Sequence, residues 1–468
     1  MRTSTRNSIP AARFEGALVP ARGRNNSLAR LLVEAGSSAA ELARDVNRFG
    51  TAQGLHLRYD RTSVAHWIRG SRPRPVVAEL VAESLTRRLG RVVDVMETGL
   101  VEWSYETMTY DGNQGDSVKG LIALARADID PQHRSALGKL AFRQRPLLDN
   151  APLLHEPSEI HTAWPPTSGD AYAHRLRRVV EQFVANWFCY GGGHARASLA
   201  SYIGEDVGRL VVTSASPAAR RTQLSLTAQL GYLLGNMTAD VGHPGLAQRY
   251  FQLSLSVSAQ AADHNMHAIT LRGMSLQAAR MGAPRYAADL ADTAVNVAAL
   301  SSDAETNAFV LAQRAYTRAL IRDGRGAYGD LREAERHLQR PTDSGGPFRR
   351  YPSAGLAYRK GRTLYLLGDR MPALRALRYA AAQRPSDEHR TRALSQARVA
   401  LALMEQGHVD EACLYGRSFV EAYPVLRSHR ATLLLQQLQG QLGQFRRSPE
   451  AAGLLTALAP LTLPSDLD

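Results

Sequence analysis

Cysteine is almost missing from this chain: 468 residues contain two, Cys189 and Cys413. Thiols so far apart cannot build a disulfide framework, which excludes the small stapled secreted folds and makes a reducing cytosol the natural compartment. Lysine is nearly as rare. Of 57 basic residues only Lys119, Lys139 and Lys360 are lysines. An arginine excess beside abundant alanine is what a GC-rich genome produces, so the net charge of +14 is by itself weak support for a nucleic-acid partner. Long apolar runs are also lacking. The best, Gly453 to Leu463, has 11 residues and contains Pro460, whereas a membrane-spanning helix needs about 20. The first residues have no apolar stretch of the kind a secretory signal requires. They are Arg-rich and acid-poor, which suits a mitochondrial transit peptide or, more simply, a basic disordered arm.

Catalytic signatures are missing as well. There is no Walker loop, no Gly-x-Ser-x-Gly and no His-Glu-x-x-His. His155 and His161 are six residues apart with Pro157 between them, whereas zinc ligation on a helix wants histidines four apart. Asp263, His264 and His267 offer three ligands without a fourth, where a turn is expected, and read as a polar turn. Gly191-Gly-Gly-His-Ala-Arg196 has the makings of a phosphate cradle at a helix N-terminus. A tight turn between a helix ending near Cys189 and one starting near His194 is simpler, with Arg196 tying it to a carbonyl or carboxylate. Neither cysteine has an adjacent acid–base pair, and both read as small core residues. The expectation is a protein that is not an enzyme and takes no cofactor or metal.

What is present is ordinary globular chemistry, 44% hydrophobic and 21% charged, which excludes a fully disordered chain. The length suggests two to four domains at roughly 100–200 residues each. Residues 1–100 hold 16 Arg against nine acids, and the other 368 residues hold 41 basic against 34 acidic. The positive charge is therefore several-fold denser in the first hundred residues, where a nucleic-acid partner should be sought. Four regions follow: a flexible arm (1–24), a compact helical unit (25–100), a linker with short helices interrupted by Gly and Pro (101–168), and an Ala/Leu/Arg-rich helical region (169–468). The expected class is all-α.

The last region repeats. Turn segments begin at Gly242, Gly282, Gly324, Gly368 and Gly407, spaced 40, 42, 44 and 39 residues apart. A glycine at each is expected to end one helix in a left-handed cap, and a small residue five positions later lets the next helix approach closely. A period near 40 with two helices per unit signals an α-solenoid. In one unit Gly361, Ala373, Leu377, Ala380 and Pro385 resemble the tetratricopeptide (TPR) pattern of small residues and a closing proline. The following unit keeps Ala400, Ala412 and Pro424 but has Gly416 where an apolar residue is expected, so the region is TPR-like.

In the first hundred residues, Asn26 to Ala35 reads as a helix stopped by Gly36. Ser38 and Glu41 have the spacing of a capping box opening a second helix. A third, short helix follows in Asp60-Arg-Thr-Ser-Val-Ala-His-Trp-Ile-Arg69, with Asp60 as N-cap, Val64, Trp67 and Ile68 buried, and Gly70 as its stop. Arg61, Thr62, Ser63, Ala65, His66 and Arg69 then face outward. Val76 to Leu89 is a fourth amphipathic helix.

This order of helix, capped helix and short polar helix ending in Trp-x-x-Gly, then x-x-Pro, resembles the helix-turn-helix domain of the Xre/Cro-repressor class, whose third helix enters the major groove. The resemblance places Arg61, Thr62, Ser63 and His66 against bases and Arg69 and Arg72 against phosphate, with Arg74 counted among the DNA-binding residues. Arginine can hold guanine through O6 and N7, and threonine offers a methyl to thymine. Arg48 to Tyr59 makes the connection between the second and third helices roughly eight residues longer than is usual in that class. The strings at 58–67, 69–75 and 190–196 also resemble actinomycete regulators of sporulation and antibiotic production of the Nsd type, which carry the same long connection and a C-terminal TPR-like region.

The resemblance implies a cytoplasmic, repressor-like transcriptional regulator whose partner is double-stranded DNA. Helix-turn-helix proteins with TPR-like repeats also resemble peptide-sensing regulators of Gram-positive bacteria, so the repeats are expected to form a homodimer and to offer a groove for a peptide or small ligand. Asn236, Asp240, Arg272 and Gln277, with Asn307 and Arg314, are the groove candidates on the presumed first helices. The alternative is a TPR scaffold whose N-terminal domain docks protein instead of DNA.

Overall fold

The computed structural model describes residues 24–52, 55–90, 93, 95, 97–100, 117–144, 169–207, 216–340 and 351–461. Residues 1–23 of the expected arm and the His155/His161 pair lie outside them. The described residues form twenty α-helices and no strand. The chain divides into two compact units, Met1–Trp103 and Ser104–Asp468.

The first unit holds α1 (Asn26–Glu34), α2 (Ala39–Ala52), α3 (Arg61–Ile68) and α4 (Pro75–Leu89). Leu28, Leu31, Leu42, Val46, Val64, Val77, Leu80 and Leu85 are buried in its core. The capping box at α2 is formed: the Ser38 amide donates to Glu41 Oε2 at 2.8 Å, and the Glu41 amide donates to Ser38 Oγ at 3.3 Å. Helix α2 continues to Ala52 and absorbs part of the long connection that follows it. The connection is then pinned. Asn47 Nδ2 donates to the Tyr59 carbonyl, and the Tyr59 amide donates to Asn47 Oδ1, both at 2.8 Å. Asp45, buried on α2, receives Arg88 of α4 at 2.6 Å and Ser84 Oγ at 3.2 Å, which ties α2 to α4.

The second unit begins with α5 (Ser117–Ile129) and α6 (Pro131–Gly138). These were expected as linker helices, and the finding is different. Val118, Leu121, Leu124 and Ala125 belong to the main core of the second unit, because their spacing gives α5 one apolar stripe that needs cover. Helices α7 (Gly169–Tyr190) and α8 (Gly192–Tyr202) follow, with one π-turn at Ile203–Val207. Then come the hairpins: α9 (Pro217–Asp240) with α10 (Pro244–Gln260), α11 (His264–Arg280) with α12 (Pro284–Ala298), and α13 (Ala304–Leu320) with α14 (Gly324–Leu338). The series continues with α15 (Ser353–Leu367) and α16 (Arg370–Ala382), α17 (His389–Met404) and α18 (Val409–Ala422), and a last pair, α19 (His429–Leu442) and α20 (Pro449–Leu458).

All five expected turns separate the two helices of a hairpin. Gly242, Gly282, Gly368 and Gly407 are left-handed, with φ of 94°, 75°, 91° and 79°. The fifth differs. Gly324 is the first residue of α14, and the left-handed position is Arg322, at φ 67°. Ala327, five residues beyond Arg322, is fully buried, as are Ala247, Ala287, Ala373 and Ala412. The repeat is intact there but shifted by two residues. A Cβ on Gly361 would meet Leu377 Cγ at 2.7 Å, which is why a small residue recurs in the first helix of this unit. Gly416 departs from the TPR pattern because Leu454 of the last helix packs over it, 2.7 Å from where a Cβ would stand.

Candidate nucleic-acid interface

Helix α3 is built to present one face. Asp60 caps it: Oδ1 accepts from the Ser63 amide at 2.8 Å, and the Asp60 amide donates to Ser63 Oγ at 3.4 Å, closing a capping box. These bonds hold the Asp60 carboxyl below its ordinary range. An anion there also favours the positive end of the helix dipole. Val64 and Trp67 are buried, and Tyr59 meets the Trp67 ring edge-on at 5.1 Å, so the anchor stripe runs from the connection into the helix. The helix ends at Ile68, and Gly70 follows at φ 105°. Pro75 opens α4 at its first position.

The opposite face carries the expected residues. Arg61, Thr62 and His66 are exposed, as are Arg69 and Arg74 beyond the helix. Two depart from the expectation of freely available groups. Ser63 is half-buried and its hydroxyl donates to Asp60 Oδ1 at 2.8 Å, so it serves the cap. Arg72 is half-buried and already engaged within the protein. Sequence reasoning left out Arg58. It is exposed two residues before the N-cap, and that position was the available signal. Three guanidinia (Arg58, Arg61, Arg69), an imidazole and a threonine methyl therefore border one short helix. That set can meet phosphate and base edges together.

The groove candidates are dispersed. Asn236 Nδ2 donates to the Tyr232 carbonyl of its own helix at 2.9 Å. Gln277 Nε2 donates to the Pro244 carbonyl at 2.7 Å and joins neighbouring hairpins. Asp240 is 3% exposed and ion-paired to Arg390, so it is a structural residue and not one open to a groove ligand. Asn307 bonds the Asp303 carbonyl at 2.9 Å, and Arg314 forks onto Asp330 at 2.7 and 2.9 Å. Arg272 lies over the Phe309 ring at 4.0 Å with its Nε unpartnered.

The remaining sequence motifs have structural duties. Gly191, at φ 101°, turns α7 into α8, and Arg196 reaches Asp128 at 2.5 Å. Asp263 caps α11 by accepting the Met266 amide at 2.8 Å, and His267 bonds Ser258 Oγ at 3.1 Å. Cys413 is a core residue as expected. Cys189 is not fully buried; its thiol donates to the Asp387 carbonyl at 2.8 Å. No helix among the described residues is long and apolar enough to cross a membrane.

Residues 28–101 match the family model of the SP15 N-terminal domain, a span that lies within the first unit. No curated protein matches the chain significantly.

Proposed function

We propose that this chain is a cytoplasmic transcriptional regulator without enzymatic activity, which reads double-stranded DNA through α3 and uses its helical repeats to pair as a homodimer. The carrying observation is the division of α3. Val64 and Trp67 fix it to the core while Arg61, Thr62 and His66 stand exposed on its other side. The resemblance to Nsd-type regulators adds a repressor-like role in sporulation and antibiotic production. Two-fold related copies would read a palindrome with half-sites one or more helical turns apart.

The test is selection of genomic fragments by the full-length protein at about 150 mM salt, where non-specific phosphate binding is weakened. An Arg61→Ala/His66→Ala variant runs in parallel. A few loci sharing a palindrome, recovered by the parent and lost by the variant, are the expected result. Diffuse recovery that ignores the substitutions would instead favour a repeat scaffold whose first unit docks protein.

A further inference from the structure

First helices of several hairpins pack side by side within the second unit: α9 with α11, α11 with α13, α13 with α15, and α17 with α19. They bring six arginines together: Arg272 and Arg280 on α11, Arg359 and Arg362 on α15, Arg398 on α17 and Arg430 on α19. Sequence separation puts 158 residues between the first and last of these, yet Arg272 and Arg430 lie within mutual electrostatic reach. Arg280 feels Arg430 and Arg359, and Arg398 feels Arg362 and Arg430.

The partners of these groups are phenols and an amide, not carboxylates. Arg430 donates to Tyr358 Oη at 2.6 Å and Arg362 to Tyr316 Oη at 3.3 Å. Arg359 stacks over the Tyr316 ring at 4.9 Å, and Arg398 reaches Gln437 at 3.5 Å. The Nε atoms of Arg272 and Arg398 are buried without a partner, although Arg272 is only 8% exposed. The carboxylate that acts on Arg280 is Asp240, and it is already engaged by Arg390, Ser428 and the Gly192 amide. Among the described residues no ion pair joins any of the six to an acid.

Burial and mutual repulsion show at Arg359 and Arg398, whereas at Arg362 burial is outweighed by the Tyr358 and Tyr316 phenols, which hold it above its ordinary range. Burial and the Arg272 charge pull Arg359 down to about 9, and burial pulls Arg398 to about 10. Burial would raise the Tyr358 phenol, but Arg430, Arg362, Arg398 and Arg359 overcome it and draw it well below its ordinary value. Arg280 is exposed to solvent, and the charges of Arg430 and Arg359 add to the lowering of its guanidinium. A cluster of cations with no carboxylate paired to it, two of them (Arg272 and Arg359) buried, opposes folding unless something returns that charge. Guanidinium is the group of choice where the returning charge is a phosphate, because its planar fork meets two oxygens at once.

We propose that the inner face of the helical repeats is a binding site for a small, multiply charged phosphate ester, held by arginines converging from α11, α15, α17 and α19. Convergence from four helices around Tyr316 and Tyr358 suits a compact polyphosphate better than an extended acidic peptide, whose charges would be strung along a groove. The site belongs to the second unit and α3 to the first, and its test needs no DNA.

The experiment is thermal unfolding of the full chain, stripped of bound anions by a high-salt wash. It is titrated with inorganic triphosphate, with ATP, with a poly-Glu peptide, and with chloride at matched ionic strength near 150 mM. The expected result is a saturable rise in Tm with triphosphate or ATP and none with chloride. ATP binding roughly tenfold tighter than triphosphate would assign the source as nucleotide, and equal affinity the bare phosphate chain; both uphold the site. The variants Arg359→Gln and Arg398→Gln should unfold at a higher temperature than the parent without ligand, since each relieves repulsion, and should lose the triphosphate response. Arginines that merely brace the structure would give the opposite sign. Equal shifts with chloride, a response to the peptide alone, or variants that are less stable yet still respond to triphosphate would overturn the proposal.

Discussion

Asp240 and Arg390 are 150 residues apart in sequence and meet at 2.6 Å in a buried ion pair. Asp240 closes α9 and Arg390 lies in the first turn of α17, so the pair joins the start of the repeat series to a late member. The junction is reinforced on both sides. Ser428 Oγ donates to Asp240 Oδ1 at 2.9 Å, the Gly192 amide donates to Oδ2 at 2.9 Å, and the Arg427 amide donates to the Tyr190 carbonyl at 2.7 Å. Burial works to raise the Asp240 carboxyl, but Arg390, Gly192 and Ser428 outweigh it and hold the group below its usual range.

Removing one partner leaves a buried charge alone. Asp240→Asn and Arg390→Met should each cost about 3–5 kcal/mol in the second unit, and the double variant less than the sum. The depressed carboxyl also sets a pH dependence. Its contribution is complete above the unfolded carboxylate value of about 4 and is lost as pH falls through the lower folded value. Urea unfolding at neutral and acid pH, parent against Asp240→Asn, measures both. An Asp240→Asn loss below about 1 kcal/mol at neutral pH would mean that the pair is not what closes the series.

The same junction explains why three glycines stand at 191–193. A Cβ on Gly192 would come within 2.2 Å of the Met237 carbonyl oxygen, which is backbone and cannot swing away. Gly192→Ala should therefore destabilise by about 1–3 kcal/mol. Gly440, inside α19 with nothing within 4 Å of its Cβ position, should respond the other way. Gly440→Ala should stabilise by about 0.5–1 kcal/mol through helix propensity alone. Differential scanning calorimetry of the pair reads the contrast, and matching signs would sink it.

His267 supplies a second acid-sensitive element. Burial pushes its imidazole down to about 4, with Leu255 and Asp263 opposing weakly and His264 adding to the shift. A histidine kept neutral in the fold but protonated when unfolded contributes stability above its unfolded value of about 6.5. That contribution, on the order of 3 kcal/mol, is lost as pH falls from 6.5 toward 4. His243, also lowered by burial, acts in the same direction. Chemical unfolding of the parent across that interval should show the decline, and His267→Gln should flatten part of it. A parent curve as flat as the variant's would show His267 to be solvated.

The repeat architecture was legible because its signals are local: a left-handed residue, then a buried small residue five positions on. Where a signal changed residue type it was misplaced, as at Arg322, whose left-handed backbone a search for glycine passes over. The short helix α3, its Asp60 cap and its Val64/Trp67 stripe were legible for the same reason. The use of Ser63 was not, because its hydroxyl had two equally short-range partners available, cap or ligand. The closure through Asp240 and the six-arginine cluster could not be read at all. Both depend on contacts between helices 30 to 150 residues apart, and periodicity carries no information at that range. Asp240 and Arg272 looked alike as polar residues on first helices, yet the fold spends one on closure and leaves the other facing uncompensated charge.

Helix α3 makes the last prediction, because its residues divide by burial and bonding. Arg61 is exposed with no bond to the fold, so Arg61→Ala should leave stability unchanged and cost roughly 1–3 kcal/mol of binding at the cognate site, with relaxed preference there. Arg58→Ala should weaken cognate and random DNA alike and flatten the salt dependence, as loss of one phosphate contact does. Ser63→Ala removes the hydroxyl from the capping box, so it should lower the stability of the first unit and reduce affinity without changing which base is preferred. Fluorescence anisotropy on a cognate and a scrambled duplex, with each variant's thermal unfolding measured beside it, separates the three. If Ser63→Ala altered base preference at unchanged stability, the serine would be a reader and the cap geometry would not describe the bound helix. If Arg61→Ala weakened both duplexes equally, Arg61 would be one more phosphate contact, and specificity would have to come from Thr62 and His66.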